Sequence, residues 1–205
     1  MRLLGKFGVA AGLAAVLAMV PAKADAAVLT LTDTFGGSNT IWTLNVATGC
    51  TTCAVSLTGF FQDPDGGGAA TNAYTGTFID SVQWKVDGQT IASTGFTGFA
   101  RSAGPAANTV TWSFAESSSL NANQCGGGAA QGTCGQTNTA LGYGPIANGS
   151  TLTWTFNTTF SSALPASLST GNIRAAFNEA DGKNFNIFSP GGGSFGGGGS
   201  TGGGG

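Results

Sequence analysis

The stretch TLTWTF, residues 151–156, alternates threonine with Leu152, Trp154 and Phe156. Side chains that change character at every second position line two opposite faces, which is the period of a strand and not of a helix. Working outward, the same alternation recurs in TVTWSF (109–114), where Val110, Trp112 and Phe114 interleave with Thr109, Thr111 and Ser113. Trp42, Leu44 and Val46 share one parity, as do Val82, Trp84 and Val86. No stretch between residues 28 and 189 follows the helical period. The pattern predicts strands near 28–35, 40–48, 53–60, 77–87, 90–99, 108–116, 151–160, 172–178 and 184–188. One apolar and one wet face per strand, with glycine-rich turns between strands, predicts an all-β fold: an antiparallel, jelly-roll-like β-sandwich over residues 27–190 as a single domain. A body of about 160 residues buries about 70% of the surface of its unfolded chain, enough for one core. The likeness of TVTWSF to TLTWTF is one matched pair, so a solenoid is rejected.

The first 26 residues read as a secretory signal peptide: Arg2 and Lys6, an apolar run over 7–20 too short to span a bilayer, then Ala24 and Ala26 at the −3 and −1 positions. Cleavage after Ala26 leaves four basic and eight acidic side chains in 179 residues. That balance excludes a nucleic-acid partner, which requires clustered Lys and Arg. The chain has no histidine, which removes Ser-His-Asp and Cys-His catalysis and the commonest zinc ligand. No cofactor and no membrane span in the mature form are expected. At the other end, eleven of residues 191–205 are glycine, predicting a disordered linker whose ends lie about 20 Å apart.

Four cysteines in an exported chain suggest disulfides, and four allow three pairings. The two local pairs, Cys50 with Cys53 and Cys125 with Cys134, are favoured, each closing a loop worth about 2–3 kcal/mol. A redox role for Cys50-Thr51-Thr52-Cys53 is disfavoured: its flanks read as strands, without the helix N-terminus that lowers a thiol pKa in redox centres.

Residues 117–150 carry little strand pattern between two strong strands, so they read as a long functional or surface loop. Its Asn121, Asn123, Gln124, Gln136, Asn138 and Tyr143 are the candidate ligand-binding residues, since amides hydrogen-bond and a tyrosine stacks on sugars. The four tryptophans share parity with aliphatic neighbours and are assigned to the core. Asp63 and Asp65, and separately Asp181, lie in acidic turns that are weak calcium candidates, because calcium takes six or more oxygens. Asp-Gly and Pro-Asp are also ordinary turn chemistry. The mature chain's carboxylates are scattered, so no catalytic residue is assigned and a glycoside hydrolase ranks third among the readings. Alternating threonine is what the wet face of any sheet favours, so the threonine ladders by themselves point to no ligand.

The leader, the segment NIRAAFNEADGKN (172–184) and the glycine-rich segment after it together resemble exported bacterial proteins of the PEP-CTERM type. The paired cysteines resemble a cysteine-bearing subset called cistern proteins. The Val-Pro-Glu-Pro signature, apolar helix and basic cluster of that family do not occur in these 205 residues. The resemblance implies export, sorting by exosortase-type machinery to the cell surface or extracellular polysaccharide matrix, and a non-enzymatic body. The expected function is therefore a structural or adhesive protein of the bacterial surface or biofilm matrix. A carbohydrate-binding module using the 117–150 loop is the alternative.

Overall fold

The computed structural model describes residues 25–35, 38–62, 78–102, 109–116, 119–121, 124–127, 132–140, 142–178, 192–195 and 201–202. In chain order its strands are β1 (Ala26–Phe35), β2 (Ser38–Ala47), β3 (Thr52–Gln62), β4 (Phe78–Val86), β5 (Ile91–Arg101), β6 (Trp112–Glu116) and β7 (Ser119–Asn121). They continue with β8 (Gln124–Gly127), β9 (Gly132–Thr137), β10 (Ser150–Phe160), β11 (Thr170–Asn178), β12 (Gly192–Ser194) and β13 (Thr201–Gly202). The leader as far as residue 24 and the expected strand at 184–188 lie outside the described residues, while Ala26, the last residue of the expected leader, opens β1.

The strands form an all-β sandwich. Sheet I runs β13-β1-β2-β3-β10-β5 and sheet II runs β12-β11-β4-β9-β6, with a separate β7–β8 hairpin. All ladders are antiparallel except the short β1–β13 pair. The core lies between the sheets and follows the parity of the sequence: Trp42, Leu44 and Val46 from β2, Leu152, Trp154 and Phe156 from β10, and Val82, Trp84 and Val86 from β4. At one end Trp154 stacks on Trp42 at 6.3 Å and meets Trp112 edge-on at 5.2 Å. None of the four buried indole N–H groups has a hydrogen-bond partner, so this core rests on packing alone.

Two expectations are corrected. Residues 117–150 are not a loop between strands: they contain β7, β8 and β9, and β9 sits inside sheet II between β4 and β6. Its sequence, GTCGQT, hides it because its space is taken by neighbours. A Cβ on Gly135 would lie 2.1 Å from the Phe114 ring, so the aromatic of the adjacent strand fills the place of a β9 side chain. The strand expected at 108–116 shortens correspondingly to Trp112–Glu116. Just before it, Thr111 N–H donates to Asn138 Oδ1 at 2.8 Å.

The second correction concerns the glycine-rich segment, expected as a disordered linker over 191–205. Gly192–Ser194 pairs with β11, and Thr201–Gly202 pairs with β1. Phe195 packs against the core, and its N–H donates to Ser169 O at 2.9 Å. A Phe195→Ala variant is expected to lose about 1–2 kcal/mol in urea unfolding, part of the value for a fully buried ring. A segment that were only a tether would lose nothing.

Both favoured disulfides are present, Cys50–Cys53 and Cys125–Cys134, with Cα atoms 5.5 and 5.6 Å apart. The first closes the β2–β3 turn. There Gly49 N–H donates to Leu164 O and Leu164 N–H to Cys50 O, so the clip anchors the segment whose Leu164 and Leu168 seal that end of the core. The second ties the β7–β8 hairpin to β9.

Candidate functional site

The two outer faces of the sandwich differ. That of sheet II is covered by the β7–β8 hairpin, where Leu120, Cys125, Cys134 and Ala176 form a small cluster. Leu120 N–H donates to Gln83 Oε1 at 2.9 Å and Cys125 N–H to Gln136 Oε1 at 3.0 Å. This second layer explains why β4 is buried on both faces. On the outer face of sheet I, by contrast, no described strand packs.

What that open face carries follows from the register. Thr30 pairs with Thr43, Thr43 with Thr58, and Thr58 with Thr153, so four threonines stand in one rank across β1, β2, β3 and β10. The next rank is Val28, Asn45, Ser56 and Thr155, and beyond it come Ala54 and Asn157, with Ala47 beside them. The small alanines leave a shallow trough bordered by Asn45, Ser56, Thr155 and Asn157. Strand spacing of about 4.8 Å and a two-residue repeat of about 6.8 Å turn these ranks into a regular grid. Cross-strand bonds fix parts of it: Thr58 and Thr153 hydroxyls lie 3.4 Å apart, Thr52 and Thr159 2.9 Å, and Thr97 donates to Thr155 at 3.0 Å. The ranks hold no charged side chain. Neutral hydroxyls and amides at fixed spacing can donate and accept hydrogen bonds over an extended neutral ligand, and they offer no acid, base or activated nucleophile.

The candidate binding residues of the 117–150 stretch do not converge. Tyr143 is a core residue, 7% exposed, bridged to Ile79 and edge-on to Phe99 at 4.7 Å, so its ring cannot serve as a sugar platform. Burial pushes its hydroxyl pKa up, opposed by Arg101. Gln136 and Asn138 spend side-chain oxygens on the backbone of Cys125 and Thr111. Asn121 and Gln124 pair across the β7–β8 hairpin. Asn123 and the calcium candidates Asp63, Asp65 and Asp181 lie outside the described residues.

Asp80 and Asp87 sit away from the open grid, in and just after β4 of sheet II. Lys85 Nζ meets Asp87 Oδ1 at 2.7 Å; burial raises the Asp87 pKa, but hydrogen bonds from Lys85 and Thr170 and the Lys85 charge bring it below the ordinary value. Asp80 is 8% exposed and accepts from the Thr137 hydroxyl at 3.0 Å; burial pushes its pKa up, and that bond offsets only part of the rise. Because the folded protein holds the Asp80 proton more tightly than the unfolded chain, this group destabilises the fold at neutral pH. The penalty disappears as pH falls through the raised folded value towards 3.8. Asp80→Asn, which keeps the acceptor for Thr137, is therefore expected to raise the thermal midpoint at pH 7. The gain should shrink to nothing below pH 3.8 in melts across that range.

No family model, curated protein or solved structure matches this chain. The grid of sheet I is thus the feature on which a functional reading rests. Its alternating threonines are visible in the sequence, but their alignment into ranks depends on which strands pair and in what register.

Proposed function

We propose that the protein is an exported, non-enzymatic structural or adhesive component of the bacterial surface or extracellular polysaccharide matrix, with the open face of sheet I as its contact surface for polysaccharide. The observation that carries this reading is the face of sheet I on which no described strand packs, where uncharged ranks of hydroxyls and amides stand among Val28, Phe60 and small alanines. A polysaccharide presents repeating hydroxyls along an extended chain. A flat neutral sheet face can meet many of them with weak bonds whose sum gives retention without a deep pocket. Two disulfides fit an oxidising compartment, and the leader of residues 1–26 fits export. The resemblance to PEP-CTERM-type proteins supports delivery by exosortase-type sorting. Polysaccharide contact through the 117–150 stretch is the weaker version of the same reading, because the ring of Tyr143 is enclosed.

Cell fractionation tests the export component. The protein is expected in the extracellular or surface fraction with Ala27 as its first residue, and deletion of its gene should weaken matrix retention. Protein confined to the cytoplasm, with deletion leaving the matrix unchanged, would overturn the reading.

A further inference from the structure

The glycine-rich segment is held at a seam. β11 and β1 are the last long strands of their sheets on one side of the sandwich. Gly192, Gly193 and Ser194 pair with Asn172, Gly171 and Thr170 of β11. Farther along, Thr201 and Gly202 pair with Thr30 and Leu31 of β1, so the segment straps one sheet to the other. The seam selects for its sequence. A Cβ on Gly193 would lie 2.5 Å from Leu31 Cδ2 and 2.7 Å from Leu29 Cδ1, so only glycine passes over these core leucines without displacing them. Two residues on, Phe195 lines a groove formed with Ala27 and residues 166–168, and its ring leaves no room for a side chain at Gly171. Strand hydrogen bonds, a glycine fit and one aromatic anchor are what a sheet edge uses to recognise an extended peptide.

We propose that this strap is exchangeable, and that the seam accepts the strap of a second copy of the chain, so that the protein associates by strand exchange. Every contact that holds the strap in its own body is available in identical form from another copy, which makes exchange a low-cost route to association. The strap has three ladder pairs on β11 and two on β1, a small part of the sheet pairing, so it opens far more easily than the body unfolds. The 13 residues from 179 to 191 that separate β11 from β12 reach about 44 Å when extended, enough to cross to a neighbouring molecule. Its own strap competes at an effective concentration of about millimolar, so exchange sets in as protein approaches that level, as on a crowded surface. This association does not depend on polysaccharide binding.

The test uses two full-length variants, Ser194→Cys and Thr170→Cys, at positions that face each other in the β11–β12 ladder. Mixed and oxidised from micromolar to about millimolar concentration, they are expected to give a disulfide between Cys at 194 of one chain and Cys at 170 of another, rising with concentration. Peptide mapping should find the native Cys50–Cys53 and Cys125–Cys134 bonds intact. The double variant in one chain closes internally and stays monomeric by light scattering. Adding Gly193→Val, which keeps that strap from docking in either body, to the Ser194→Cys chain lowers the mixed yield several-fold. Internal closure of the double variant with no link between chains at the highest concentration overturns the proposal, as does association of the locked double variant to the same extent as the natural chain. Should the cysteine variants misfold, light scattering of the natural chain and of Gly193→Val decides, because a side chain at 193 meets Leu29 and Leu31 and keeps the strap from docking in either body. Concentration-dependent association lost in Gly193→Val supports exchange, and a monomer throughout, or equal association of both, overturns it.

Discussion

Trp154→Ala is expected to cost about 3–5 kcal/mol, the range for deleting a large, fully buried aromatic. Trp154 has no exposed surface and touches Trp42, Trp112 and Phe99, the last with ring centroids 5.4 Å apart. Its removal opens a cavity between the sheets that rigid aromatic neighbours cannot collapse to fill. Urea unfolding followed by far-UV circular dichroism gives the difference. Phe60→Ala supplies the comparison, because Phe60 is only partly buried, on the outer face of sheet I; it should cost about 1 kcal/mol. Equal losses at the two positions would contradict the assignment of faces on which the fold rests.

Gly142→Ala is the second large effect. Gly142 has φ +88°, and a Cβ there would lie 2.4 Å from Ile79 O and 2.8 Å from Asp80 Cα. Backbone atoms of β4 cannot swing aside as a side chain can, so the substitution combines left-handed strain with displacement of the turn that delivers Tyr143 to the core. A loss of about 3 kcal/mol is expected. Gly49 separates the two causes: its φ is +73°, but nothing lies within 4 Å of where its Cβ would be. Gly49→Ala should therefore show only the conformational cost, about 1 kcal/mol. The same denaturant experiment reads both variants.

What the sequence made legible follows from the kind of signal each element carries. β10 and β2 announce themselves because one face of each meets the core and the other does not, so burial is written into alternate letters. β9 carries no such mark: it lies between the Phe114 ring and the β7–β8 hairpin, both faces are filled by other strands, and its own side chains are correspondingly small. The glycine-rich segment was opaque for a related reason. Its strand geometry at Gly192–Ser194 depends on unpaired edges that only the assembled sheets present. Tyr143 read as a loop aromatic because its burial comes from Phe99 and Ile79, both distant in sequence. The local cysteine pairings were readable from spacing, whereas the threonine ranks required the register of four strands.

The central claim, that the open grid of sheet I holds polysaccharide, is tested most directly by a binding isotherm on extracellular polysaccharide. The natural chain is compared with a variant carrying Thr43→Val, Thr58→Val and Thr153→Val. Valine keeps the β-branched shape and removes only the hydroxyls, so the melting temperature serves as the check that the fold survives. The account predicts saturable binding by the natural chain and affinity lower by about tenfold or more in the variant, the equivalent of about 1.4 kcal/mol from lost hydrogen bonds. Absence of saturable binding by the natural chain, or equal affinity in the three-valine variant, would contradict it.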